Sequence, residues 1–377
     1  MTKILHIITG LDDGGAEGVL FRLVKADEHN QHCVVSLLDE GKYGPLLEAL
    51  DVKVICLRMA KGRLSLNVFL KLWRICNEHK PDIVQTWMYH ADLIGGVVAR
   101  LAGVSRVYWN IRHSELVPGK SSRSTILVAR VCAWLSHIVP RKIICCAERA
   151  VQVHVDAGYA RSKFFVIGNG YDLNRFVPDE QAAGRITNEL KLYDVPVLGM
   201  VGRFNAQKDH RNLLNALSLL KARGVAFVCL LVGTGLKNDN EKICDWINRD
   251  GLTENVLLLG PRIDIDGVMN ALDLKILSSS FGEAFPNVLA EAMACGTPCV
   301  TTDVGDAALI VGATGWVVRP QDPGQLADAI QYALNEMGND PFAWEIRKQA
   351  CRHRILENYS VQRMVALYHQ AWTIDKE

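Results

Sequence analysis

Short apolar runs alternate with amphipathic segments along most of this chain. In the first half KILHII, HCVVSLL, VKVICL, DIVQTW, RVYWNI, KIICC and KFFVIGNG read as strands, since compact apolar runs of this kind suit strands covered on both faces. Between them, residues 15–28, 44–50, 67–79, 92–102, 124–136 and 148–157 carry apolar positions at helical spacing. A polar stretch opening at Gly168 and running to about Pro196 reads as a linker. A second set then begins at VPVLGMVGRF. It continues with a helix over 210–222, FVCLLVG, a helix over 238–250, NVLLLG, a short helix over 265–270, LKILSS, a helix from about Pro286 to Cys295, and PCVTTD. After Asp322 the chain reads as helical. Strands alternating with helices at this spacing predict parallel sheets with helices on both faces. The expected fold class is α/β, with two Rossmann-like domains whose sheets face across a cleft.

Length fits that division. At 377 residues, half of them apolar, the chain exceeds one ordinary core. A net charge of +1 gives no compositional sign of a nucleic-acid binder, and none is expected. The eleven cysteines are scattered, and Cys33, Cys56, Cys145 and Cys229 sit in strand-like runs. With MTKILHIITG leading straight into a Gly-rich loop, they read as reduced, buried thiols of a cytoplasmic protein. Cys295 and Cys299 have no second Cys or His pair to complete a zinc site, so no metal is expected. No run of about 18 uncharged apolar residues reads as a membrane span.

The chemistry concentrates in FGEAFPNVLAEAMACGTPCV, residues 281–300. Pro286 suits the first turn of a helix and Gly296 its stop. Glu283 then precedes the helix and Glu291 lies inside it. The amides of Asn287, Val288 and Leu289 would face an anion. An anion site between two carboxylates suits a sugar nucleotide, whose diphosphate takes the amides while the carboxylates take sugar hydroxyls. Ligands of parallel sheets bind at the carboxyl ends of strands. That rule adds the loop holding Gly14 and Gly15, the segment with Tyr89, His90 and Asp92, and the segment Asn110, Ile111, Arg112, His113. In the second half it adds Arg203 and Lys208, two cations suited to a diphosphate, and the close-approach loop at Gly233. The glycines at 10, 14, 15 and 18 lack the G-x-G-x-x-G spacing of a dinucleotide-binding dehydrogenase.

GGAEG, HAD, VGRFNAQKDHRNLL, LLVGTG and GEAFPNVLAEAMACGTPCVTTDVGD together resemble the retaining glycosyltransferases of family 4, which have the two-Rossmann GT-B fold. The resemblance spans roughly residues 3–322. It implies a nucleotide-sugar donor, with a UDP-sugar favoured, held mainly by the second domain, and a saccharide or lipid-linked acceptor met by the first. It divides the chain at 1–180 and 190–357, with the final helix, about 358–377, crossing back. By the resemblance, Glu291 holds the ribose, Glu283 contacts the transferred sugar, and Arg203 and Lys208 take the diphosphate. Phe285, Pro286, Asn287, Val288 and Leu289 meet sugar and phosphates through backbone groups. Gly14, Gly15 and Gly233 approach the donor, and Arg262 lies by the base. His113 stands near the sugar, and His90 and Arg112 on the acceptor side. Gly18 stands where the family often has Arg. No cofactor is implied. Rival readings are a nucleotide-sugar epimerase, which would need no acceptor, a phosphorylase, marked by pyridoxal absorbance, and a non-catalytic subunit.

Residues 99–150 carry nine Lys or Arg against two Glu. Within them Ile126, Leu127, Val131, Trp134, Leu135 and Ile138 recur at helical spacing. This stretch reads either as a helix facing its own core or as a patch for an anionic membrane.

Overall fold

The computed structural model describes residues 1–59, 66–112 and 122–373. These fall into two compact units, residues 1–170 with 361–377, and residues 171–360. In the first unit the strands are β1 (Lys3–Ile8), β2 (Gln31–Ser36), β3 (Lys53–Cys56), β4 (Ile83–Trp87), β5 (Val107–Ile111), β6 (Lys142–Cys145) and β7 (Phe164–Val166). Its helices are α1 (Gly15–Ala26), α2 (Tyr43–Glu48), α3 (Leu66–His79), α4 (Tyr89–Leu101), α5 (Arg123–Leu135) and α6 (Glu148–Asp156). The second unit holds α7 (Glu180–Leu190), then β8 (Val197–Val201), α8 (His210–Ala222), β9 (Val228–Val232), α9 (Glu241–Arg249), β10 (Val256–Gly260) and α10 (Ile265–Ala271). It continues with β11 (Leu274–Leu277), α11 (Asn287–Ala294), β12 (Cys299–Thr302), α12 (Ala307–Val311), β13 (Trp316–Val318), α13 (Pro323–Asn339) and α14 (Pro341–Tyr359). The last helix, α15 (Val361–Thr373), belongs to the first unit.

Both sheets are parallel, in the orders β3-β2-β1-β4-β5-β6-β7 and β10-β9-β8-β11-β12-β13. Each order reverses beside its own first strand, between β1 and β4 and between β8 and β11. Such a reversal parts the loops at the carboxyl edge and opens a crevice there. The strands are dry because both faces are covered: β4, β5 and β8 are buried throughout. In the first unit Leu5 and Ile7 of β1 pack into one core with α3, α4 and α5. Ile4 and Ile8 point the other way, into a core shared with α1 and α15. Trp372 of α15 donates its indole N–H to Gln85 Oε1 at 3.0 Å, and Asn110 donates to the Tyr368 hydroxyl at 2.6 Å.

Three sequence expectations shift. Residues 180–190, read as linker, form α7, which packs on α10; Asp179 caps it by accepting the Ala182 N–H at 2.9 Å. β13 and α12 are too short for periodicity to reveal. Met88 alone joins β4 to α4, at φ +71°, so the helix expected from Asp92 already begins at Tyr89, and Tyr89 and His90 lie in its first turn and not in a loop. No helix among the described residues is long and apolar enough to cross a membrane.

Candidate active site

In the second unit the loops leaving β8 and β11 flank the reversal. Asn205 Oδ1 accepts the Lys208 N–H at 3.0 Å, and Asp209, at φ +48°, accepts the Asn212 N–H at 3.2 Å. Two successive caps therefore fix the backbone at Lys208. The loop after β11 is tied to it by the Ser280 N–H on the Gln207 carbonyl, 2.9 Å. Lys208 Nζ then meets Glu283 Oε1 at 2.6 Å, and Ser279 Oγ donates to the same oxygen at 2.7 Å. Glu283 is 8% exposed. At that depth water screens the pair far less than it would at the surface. Behind it, Thr302 donates to the Ser279 carbonyl at 2.6 Å. Gly305, at φ +61°, runs so close that a Cβ would strike the Glu283 carbonyl oxygen.

Two further cation formers lie in the same region. Lys275 in β11 is fully buried and donates to the Ile276 carbonyl at 2.7 Å. Burial pushes its ammonium down to about 7. Both His210 ring nitrogens are buried without a hydrogen-bond partner among the described residues. Burial, and then the nearby Lys208 and Lys275 charges, hold this imidazole down to about 4. His210 is thus neutral at physiological pH.

At the start of α11 the structure moves the sequence expectation by one residue. Pro286 is the N-cap and Asn287 the first helical residue. The Leu289 N–H donates to the Pro286 carbonyl at 3.1 Å, so of the three amides expected to face an anion this one is engaged. Asn287 Oδ1 accepts the Tyr171 hydroxyl at 2.6 Å. The buried Phe285 ring packs between Tyr171 and Tyr359, with centroids 6.3 and 5.2 Å away, and so sets the path of the backbone into the helix. Val288 and Glu291 are half-buried on α11.

The loops after β8, β9 and β10 are laced together. The Gly233 N–H donates to the Gly260 carbonyl at 2.8 Å and the Phe204 N–H to the Thr234 carbonyl at 2.9 Å. At Gly233, φ +148°, a Cβ would strike the Gly202 carbonyl. Arg203 is exposed between them, with no side-chain partner among the described residues. Arg262 behaves differently. Its guanidinium forks onto Glu189 at 2.7 and 2.9 Å and onto Asp264 at 2.8 and 2.7 Å. These carboxylates raise its already high pKa further and occupy the fork that the base was expected to meet.

In the first unit Gly14 is the N-cap of α1 and Gly15 its exposed first residue. A Cβ on Gly14 would strike the Glu17 carboxylate; one on Gly15 would meet nothing within 4 Å. Burial, with Asp12 and Asp13 adding to it, raises the Glu17 carboxyl. Arg112 is engaged inside its own unit. Its guanidinium donates to Asn110 Oδ1 at 3.0 Å, to the Tyr368 hydroxyl at 2.7 Å and to Asn169, and lies over the Trp87 ring. His90 is half-buried, which lowers its pKa. His113 lies outside the described residues. Among those described, no group of three or more His, Cys, Asp or Glu is placed to hold a metal ion.

Sequence reasoning missed Ser279, Asn205, His210 and Lys275. Asn205-x-x-Lys208 carries an N-cap signal that could have been read. The other three depend on which strands become neighbours.

Comparison with known proteins fits this geometry. Residues 13–175 match the model of glycosyltransferase family 4, and residues 195–336 that of glycosyl transferases group 1. The UDP-Gal:alpha-D-GlcNAc-diphosphoundecaprenol alpha-1,3-galactosyltransferase of Escherichia coli is 26% identical over 345 residues, 85% of this chain and 84% of that one. Glycogen synthase of Mycobacterium tuberculosis is 25% identical over 337 residues, 84% of this chain and 75% of that one. The crystal structure of Anabaena Alr3699/HepE in complex with UDP superposes with a TM-score of 0.84 at 22% identity, over 99% of this chain and all of that one. The chain belongs to the family 4 glycosyltransferases of GT-B fold.

Proposed function

We propose that the protein is a retaining hexosyltransferase that moves a sugar from a UDP-sugar to a saccharide or lipid-linked saccharide acceptor. The setting proposed is cell-surface polysaccharide synthesis at the cytoplasmic side of a membrane. The observation that carries the reading is the shielded Lys208–Glu283 pair at the strand-order reversal, 2.6 Å apart and set beside the start of α11. Oε1 of Glu283 takes both Lys208 and Ser279, which leaves Oε2 for a hydroxyl of the transferred sugar. Lys208, the exposed Arg203 and the α11 amides of Asn287 and Val288 take the diphosphate. Glu291 takes the ribose hydroxyls. The UDP bound in the HepE structure and the diphosphoundecaprenol acceptor named for the E. coli relative support the choice of donor and acceptor class.

In this reading the acceptor hydroxyl oxygen bonds to the anomeric carbon as the bond to the diphosphate breaks. Its proton passes to the departing diphosphate on the same face, which keeps the anomeric configuration. The protein's part is to stabilise the charge that grows on the leaving group. Lys208→Ala is therefore expected to lower turnover by about 10^2-fold or more, the scale of losing one preorganised donor. Near-full turnover in that variant would refute the assignment. UDP should raise the melting temperature where GDP and ADP do not. Transfer should survive EDTA, and an absolute requirement for Mn2+ or Mg2+ would overturn the metal-free reading.

A further inference from the structure

Helices α3, α4 and α5 form one layer of the first unit, with α4 packed against α3 on one side and α5 on the other. Their inner faces supply Leu72, Val98 and Cys132 to the core. The outer faces are the unusual ones. On α5, Leu127, Trp134 and Ile138 beyond its end are 64, 68 and 64% exposed, with Val131 between them. On α3, Leu66, Leu70 and Trp73 are 77, 56 and 46% exposed. Both sets keep a spacing of three and four residues, so each is a stripe. On α4 between them, Leu93 and Val97 are half-buried against the core and Leu101 is exposed. An apolar groove of about 440 Å³, lined by Met59, Phe69, Leu93 and Val97 among others, runs between α3 and α4.

Scattered exposed apolar residues need no explanation, but regularly spaced stripes on two helices that both pack on α4 do. The charges around them identify the occupant. Lys71, Arg74 and Arg130 are exposed on α3 and α5, α5 contains no acidic residue, and Asp92 of α4 is buried. Glu78, in the last turn of α3, is the only exposed carboxylate on the three helices among the described residues. Two tryptophans on apolar stripes that share their helices with three exposed cations suit the interface of an anionic bilayer, where indole rings sit at headgroup level and each cation adds to the attraction. A second copy of this face would set like charges against each other.

We infer that the outer face of α3, α4 and α5 docks on an anionic lipid surface, with Leu70, Trp73, Trp134 and Ile138 inserted among the headgroups. The inference rests on this face alone and stands apart from the transfer reaction proposed above.

The test is co-sedimentation of the full chain with phosphatidylcholine vesicles and with vesicles containing phosphatidylglycerol. Binding is expected to the anionic vesicles, weakening as salt rises. Leu70→Gln with Trp134→Gln, both at exposed positions, should lower vesicle binding by at least about tenfold, and Arg130→Glu should do so chiefly at low salt. The UDP-induced melting shift of each variant, unchanged, shows that the fold and the donor site are intact. No binding to anionic vesicles at low salt overturns the inference, as does binding that the double variant leaves unaltered. So does a concentration-dependent dimer that the double variant dissolves, since the face would then be a self-interface. Loss of the UDP response with vesicle binding retained bears on the transfer reaction and leaves the membrane face standing.

Discussion

The two sheets reverse their strand order in the same way, yet the loops at the two reversals carry opposite chemistry. In the second unit the loops after β8 and β11 bring a lysine onto a shielded glutamate, with an exposed arginine nearby. In the first unit the loop after β1 carries Asp12 and Asp13 and leads to Glu17 in the first turn of α1, and Lys42 meets Asp13 at 2.8 Å where both are exposed. The described residues at the ends of β4 and β5 are spent on internal bonds: Thr86 donates to Asp92 at 2.5 Å, and Arg112 clamps Asn110, Asn169 and Tyr368. Topology makes a crevice in each unit, but among the described residues only the second unit's loops present cations free to meet a diphosphate. The described loops of the first unit offer backbone and internally bonded polar groups instead.

The sharpest way to break this contrast is at Glu283. Glu283→Ala should lower turnover by about 10^2- to 10^3-fold, the range seen when a preorganised polar contact to a reacting group is lost. A double-mutant cycle with Lys208→Ala should be strongly non-additive, because the two side chains share one bond. Additive losses would mean that each residue acts alone. Next in size is Gly233→Ala. The new Cβ would strike the Gly202 carbonyl, and φ +148° is closed to alanine in any case. A stability loss of about 3 kcal/mol is expected, read as a lower urea midpoint, together with loss of the UDP-induced melting shift. Normal stability would show that the three laced loops can move apart.

Much of this was legible in the sequence, for identifiable reasons. Buried parallel strands are continuous apolar runs, so β1, β4, β5, β8 and β9 announce themselves, and the Gly-rich segments mark where backbone must approach backbone. Residues 281–300 held the motif, and Glu283 and Lys208 do meet. The pairing itself was not legible, because residues 75 apart become neighbours only when β8 and β11 align. The same holds for Ser279 and His210, whose roles are set by what surrounds them. Arg262 and Arg112 show the converse case. An arginine at a strand's carboxyl edge looks available, and only the fold reveals that Glu189, Asp264, Asn110 and Tyr368 already occupy its donors. Short elements such as β13 and α12 span too few residues for a period to show.

Asp92 tests whether the first reversal is built for structure. Its Oδ2 is buried without a hydrogen-bond partner among the described residues, and burial raises the carboxyl well above its ordinary range. The folded chain therefore keeps a proton that the unfolded chain releases above about pH 4. Stability then falls as pH rises through that region, since the folded state binds more protons. Asp92→Asn removes the ionisation and keeps the shape. Parent and variant should be close in stability near pH 4, and the variant should gain on the parent toward pH 7 by about 1.4 kcal/mol for each unit the carboxyl is raised. Urea unfolding at the two pH values measures this. A variant that loses stability as pH rises would mean that Asp92 is ionised and paired.

The smallest expected effect separates backbone from donor. Gly15 opens α1, is exposed, and has room for a Cβ in every direction. Gly15→Ala should therefore leave stability within about 0.5 kcal/mol of the parent or raise it slightly, because alanine is the better helix former and restricts the unfolded chain. If the loop after β1 closes on the donor phosphates through its backbone, the added methyl still matters. The Kd for the UDP-sugar should rise several-fold while the melting temperature of the unliganded protein holds. If affinity is untouched as well, the acidic loop of the first unit plays no part in holding the donor, and the division of labour between the two reversals is complete.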